Sequence, residues 1–125
     1  MPRVLIIDDD KDLLIIVKNF LLKRGFEVSI HSDWKTASEG IIEFKPQVLL
    51  IDAYLSGIDG LEMCKKLKSN TYTRHIPIIV FSAYPQIGET AIYEFGADDF
   101  LSKPFEVNEL IEKIHKVLAR KHESL

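Results

Sequence analysis

Carboxylates dominate the part of this sequence that could do chemistry. Asp8, Asp9 and Asp10 follow directly on the apolar run Val4–Ile7, and Asp52 follows directly on a second run, Val48–Ile51. Carboxylates gathered in one place repel one another and lose solvation, so they titrate upward unless a cation lets them stay ionised. A donor set made only of oxygens suits Mg²⁺, which binds few carboxylates and keeps some of its waters. Ser82 closes the run Ile78–Phe81, and Lys103 stands just before Pro104. A serine hydroxyl can rotate to meet a phosphate oxygen, and a lysine ammonium is a point charge suited to a carboxylate or a phosphate. Taken singly, each residue has an ordinary role. Asp10 would cap the next helix, Ser82 would be a strand-end hydroxyl and Lys103 a solvated amine. Capping does not account for Asp52, which is followed by a loop.

These residues form one site only if the chain brings them together, and the alternation of its segments says how. Val4–Ile7, Val48–Ile51 and Ile76–Phe81 are nearly continuous apolar runs, as strands covered by helices on both faces must be. Glu27–Ile30 alternates, which suits a strand nearer the edge, and Asp99–Ser102 is a weaker fifth candidate. Between them lie helical patterns at Asp12–Arg24, Trp34–Phe44, Gly60–Leu67, Ile87–Phe95 and Val107–Leu118. In the first of these, Leu13, Ile16, Val17, Phe20 and Leu21 are predicted to share the buried face. The order β-α-β-α-β-α-β-α-β-α predicts a doubly wound α/β fold with helices on both faces. Its five-stranded parallel sheet would take the flavodoxin-like order 2-1-3-4-5. Ligands of such sheets bind beyond the carboxyl ends of the strands where the strand order reverses. That point lies between the first and third strands, so Asp8, Asp9 and Asp52 are expected to converge.

Composition narrows the function. The 125 residues are 46% hydrophobic and 28% charged, ordinary for a single globular domain, with a core expected over about 3–120 and a polar, fraying end. A net charge of −3 argues against direct nucleic-acid binding, which draws on clustered lysines and arginines. No apolar run reaches membrane-spanning length, and Cys64, the one cysteine, allows no internal disulfide; a cytoplasmic setting is the expectation. Cys64 lies on the apolar face of its helix and Trp34 near a helix start, both read as packing. The turn after the first strand, DDDKD, has no glycine and four carboxylates, which makes a dinucleotide-binding loop a poor candidate. The four histidines, His31, His75, His115 and His122, have no metal-ligand spacing.

Nearly the whole chain, from about Arg3 to Arg120, resembles the receiver domain of two-component response regulators. The matching stretches are Ile6-Ile7-Asp8-Asp9, Leu49-Leu50-Ile51-Asp52, Gly57-Ile58-Asp59-Gly60, Ser82-Ala83 and Lys103-Pro104-Phe105. The resemblance implies a phosphoryl-accepting signalling switch. Asp52 would take a phosphoryl group from the phosphohistidine of a histidine kinase or a phosphotransfer protein. Asp8 and Asp9 would hold Mg²⁺ together with Asp52 and the backbone carbonyl of Tyr54. Ser82 and Lys103 would meet the phosphoryl oxygens, and Pro104 would follow a cis bond. Phe100 would be the aromatic switch, changing the surface made by the fourth helix, fifth strand and fifth helix, where homodimers form or effectors dock. Tyr93, Glu94, Asp98, Asp99, Glu109, Lys113 and Lys116 are the candidates for that face.

The sequence departs from the family pattern in places. Ser56 stands where a proline is usual, and Phe100 lacks a tyrosine hydroxyl. Tyr54 and Tyr84, each two residues beyond Asp52 and Ser82, are large enough to exclude water and slow self-dephosphorylation. Such a protein is catalytic only in assisting its own phosphorylation and dephosphorylation. The competing readings are a pseudo-receiver or scaffold that binds its partner without phosphate, and an aspartyl phosphatase. The latter would want a second aspartate where Tyr54 stands.

Overall fold

The computed structural model describes residues 1–55 and 57–123, with side chains through 120. The chain runs β1 (Arg3–Ile7), α1 (Lys11–Lys23), β2 (Glu27–His31), α2 (Trp34–Phe44) and β3 (Val48–Asp52). A small hairpin follows, β4 (Tyr54–Leu55) and β5 (Ile58–Asp59), then α3 (Gly60–Ser69) and β6 (Ile78–Ser82). A single 3-10 turn (Pro85–Ile87) leads into α4 (Gly88–Tyr93), β7 (Asp99–Ser102) and α5 (Val107–Glu123).

The main sheet has five parallel strands in the order β2-β1-β3-β6-β7. With the hairpin left out of the count, this is the 2-1-3-4-5 order of a doubly wound fold. Successive side chains of a strand point to opposite faces, and the core divides accordingly. Leu5, Ile7, Leu49, Ile51, Ile78 and Val80 pack with α2, α3 and α4 residues such as Ala37, Cys64 and Ala91. Val4, Ile6, Leu50, Ile79, Phe81 and Leu101 pack against Leu14, Val17 and Leu21 of α1 and Leu110, Ile114 and Val117 of α5. Cys64 is fully buried, its thiol pushed up to about 12 by that burial, and Trp34 packs against the first layer.

Four local expectations are corrected. The buried stripe of α1 is Leu14, Val17 and Leu21, whereas Ile16 and Phe20 are exposed. Leu13 to Val17 are all apolar, so periodicity alone does not say which side meets the sheet. β6 begins at Ile78 because Pro77 has no N–H to give a ladder; its carbonyl accepts from Leu49 N–H at 2.9 Å. The fourth helical segment is shorter than Ile87–Phe95 and opens with the 3-10 turn at Pro85. At the C-terminus, α5 continues past Leu118 to Glu123.

Candidate functional site

Parallel strands deliver their carboxyl ends to one edge of the sheet. Asp8 follows β1, Asp52 ends the adjacent β3, Ser82 ends β6 and Lys103 follows β7. Backbone hydrogen bonds fix the rim: Asp8 N–H donates to His31 O (3.1 Å), Ala53 N–H to Phe81 O (2.9 Å) and Lys103 N–H to Ser82 O (2.7 Å). Asp8, Asp52 and Ser82 are buried, and Asp9 is exposed. Ligand oxygens of Asp8, Asp9 and Asp52 all lie within 4.8 Å of one another. Asp10 takes the ordinary role: it is the N-cap of α1, accepting from Leu13 N–H at 3.1 Å, while its own N–H donates to Asp8 Oδ1 at 2.9 Å.

Lys103 reaches into this cluster from β7. Its Nζ lies 2.7 Å from Asp8 Oδ2 and 3.3 Å from Asp52 Oδ2. Burial pushes the Asp8 carboxyl up to about 6; the hydrogen bonds from Lys103 and the Asp10 amide oppose the rise, and the charge of Asp52 adds to it. Burial also works against the Lys103 ammonium, but the bond to Asp8 and the charge of Asp52 outweigh it and raise its pKa. Both groups hold their protons more tightly than usual. Three carboxylates stand around that one ammonium, and an oxygen-seeking cation would relieve the surplus.

The loops above the site carry the two tyrosines. Tyr54 N–H donates to Asp52 Oδ1 (3.2 Å), and Tyr84 N–H donates to Ser82 Oγ (3.0 Å). Their half-exposed rings meet edge to face, with centroids 5.5 Å apart and planes at 88°. The Lys103–Pro104 peptide is cis. Phe100 is half-buried, its ring against the first turn of α4, where a Cβ on Gly88 would lie 2.9 Å from Phe100 Cδ1. The family's usual proline position, Ser56, lies outside the described residues.

On the face assigned to α4, β7 and α5, Tyr93, Glu94, Glu109 and Lys116 are exposed. Asp98, Asp99 and Lys113 are not free surface charges. Asp99 pairs with Lys113 (3.2 Å) and Arg120 (3.8 Å), and Asp98 pairs with Lys68 (2.7 Å).

Two contributors were not assigned a role from sequence. Gly60 sits where any Cβ would collide with the backbone carbonyl of Asp52, so the chain must be bare there for α3 to start beside the site. The signal was available: Gly60 follows Asp59, which caps α3 by accepting from Leu61 N–H (2.9 Å). Phe81 gives no such signal, because an aromatic in a buried strand reads as core. Its ring nevertheless lies beneath the Lys103 ammonium, 4.8 Å from Nζ to centroid.

Comparison with known proteins agrees with this architecture. Residues 4–115 match the family described as the response regulator receiver domain. The chain is 32% identical over 121 residues to the DNA-binding dual master transcriptional regulator RpaA of Synechocystis, covering 96% of this chain and 50% of that protein. It is 34% identical over 119 residues to the response regulator MprA of Mycobacterium leprae, covering 94% and 51%. The chain thus spans about half the length of these curated relatives. Among solved structures, a CheY-like receiver domain protein from Methanospirillum hungatei superposes with a TM-score of 0.89 at 25% identity, covering 100% of this chain and 99% of that one. A two-component response regulator from Clostridium difficile gives 0.84 at 29%, covering 96% and 97%.

Proposed function

The chain belongs to the response regulator receiver domain family, and from that premise we propose that it is a switch which accepts a phosphoryl group on Asp52. The observation that carries this reading is the cluster itself: buried Asp52 beside Asp8 and Asp9, with one ammonium 2.7 Å and 3.3 Å from two of the three carboxylates. An Asp52 carboxylate oxygen attacks the phosphorus of a phosphohistidine. The P–N bond breaks, and its electron pair leaves on the imidazole nitrogen, which takes a proton. Lys103 holds positive charge where the phosphoryl oxygens arrive, so its contribution is positioning and electrostatics. Asp8, Asp9 and Asp52, with the Tyr54 carbonyl, would hold Mg²⁺, which supplies further positive charge against those oxygens.

Phosphorylation adds charge and acceptor oxygens beside Ser82 and Lys103. Ser82 Oγ now accepts from Tyr84 N–H, and turning toward a phosphoryl oxygen would draw that loop inward. Phe100, packed against Gly88, would follow and change the face of α4, β7 and α5, by packing alone. The partner is a histidine kinase or a phosphotransfer protein in the cytoplasm, and 1–125 acts as one receiver unit. Exposed Ile15 and Ile16, on the helix that starts at the acidic loop, offer an apolar strip for such a partner to cover. Among the described residues, no helix is long and apolar enough to cross a membrane.

The deciding experiment is intact-mass analysis after incubation with Mg²⁺ and acetyl phosphate. The expected result is one added phosphoryl group, absent from Asp52→Ala. Equal labelling of that variant would overturn the proposal.

A further inference from the structure

The Lys103 ammonium has a third neighbour that the phosphoryl-transfer reading leaves unused, the face of the Phe81 ring. Phe81 is nearly fully buried, and Phe105 packs against it at 88° with centroids 6.2 Å apart. Its strand register pairs it with Asp52, and its carbonyl accepts from Ala53 N–H at 2.9 Å. One residue is therefore fixed to the acceptor strand through its backbone and to the amine through its ring.

This placement has a physical consequence. A lysine stem is flexible, and a compact ammonium goes wherever charge draws it. Asp8, at 2.7 Å, draws it more closely than Asp52, at 3.3 Å. The negative face of an aromatic ring attracts a cation, most strongly where water is excluded, and its strength does not change when a neighbouring carboxylate becomes an acyl phosphate. A leucine would be equally apolar there, though smaller, and would lack that attraction. We propose that Phe81 is a positioning residue for Lys103, its ring face holding the ammonium between Asp8 and Asp52, in reach of an incoming phosphoryl group. The role rests on the switch reading of Asp52.

Fluorinated phenylalanines at position 81 keep the shape of the ring and withdraw electron density from its face. Across a mono-, di- and trifluoro series, the initial rate of labelling by acetyl phosphate should fall stepwise, reaching roughly three- to tenfold. The same series at Phe26, which packs away from the site against His115, should leave the rate flat. Thermal midpoints should hold within about 2 °C throughout. In the unsubstituted protein, the ring should move the Lys103 ε-methylene proton resonances upfield, and Phe81→Leu should abolish that displacement. A rate unchanged across the series, or one that tracks a falling midpoint, overturns the positioning role, as does an ε-methylene shift at its free-lysine value. Failure of the unsubstituted protein to label at Asp52 would instead remove the switch reading. The proton shifts, which need no phosphoryl transfer, would still decide the ring contact.

Discussion

Two lysine–aspartate clusters stand at opposite ends of the same sheet, and they are built differently. At the amino ends of the strands, Lys68 Nζ meets Asp98 Oδ2 at 2.7 Å and the carbonyls of Ile76 and Arg74 at 2.9 and 3.3 Å. Asp98 Oδ2 also accepts from Ile78 N–H (2.8 Å), and Asp98 N–H donates to Ile78 O (2.8 Å). One cation there answers one carboxylate, and backbone groups take up the rest. This pins the loop before β7 to the start of β6. At the carboxyl ends, Lys103 faces Asp8 and Asp52, with Asp9 close by, and Asp8 is pushed up to about 6. An ion pair alone therefore does not mark a functional site. An unbalanced one makes a candidate, because only the surplus leaves something for a ligand to neutralise.

The contrast has measurable consequences. The largest is in pH. With a folded value near 6 against an ordinary 3.8, Asp8 holds its proton more tightly in the folded chain than in the unfolded one. Stability without metal should therefore fall as pH rises from about 4 to about 6, by about 3 kcal/mol, and level off above. Asp8→Asn should remove that slope in urea titrations; a slope that persists would mean the carboxyl surplus is elsewhere. Next, Lys68→Met should cost about 2 kcal/mol by stranding Asp98 and two carbonyls, while leaving the pH slope and the labelling rate intact. A changed labelling rate would join the two ends of the sheet and break the comparison.

Smaller effects sharpen it further. Mg²⁺ at tenfold over its dissociation constant should add about 1.4 kcal/mol at pH 7 and less at pH 4, where Asp8 is protonated. Calorimetric scans of Asp8→Asn and of Lys68→Met should lose and keep that increment respectively. Last, Tyr54→Ala and Tyr84→Ala should each shorten the phospho-state lifetime by roughly threefold, if their edge-to-face rings exclude attacking water. A lifetime unchanged or lengthened in chase experiments would assign the tyrosine pair to packing.

Much of this was legible in the sequence because it is local. A strand covered on both sides must be apolar throughout, so Val4–Ile7 and Val48–Ile51 declare themselves, and the alternation of Glu27–Ile30 marks the edge strand that β2 is. Carboxylates placed immediately after such runs can only be at the carboxyl edge of the sheet. Local pattern failed where it was redundant or depended on distant atoms. Five apolar residues in a row on α1 hid the buried side, and the Gly60 requirement comes from a carbonyl eight residues away.

Periodicity and strand order, then, determined which residues share an edge of the sheet: Asp8, Asp52, Ser82 and Lys103. Tertiary structure alone decided how they meet. Whether Lys103 lies nearer Asp8 or Asp52, and that its ammonium rests on Phe81, are matters of ångströms between chain segments far apart in sequence. Charge energies depend on those separations and on burial, and neither is a property of any short stretch of chain.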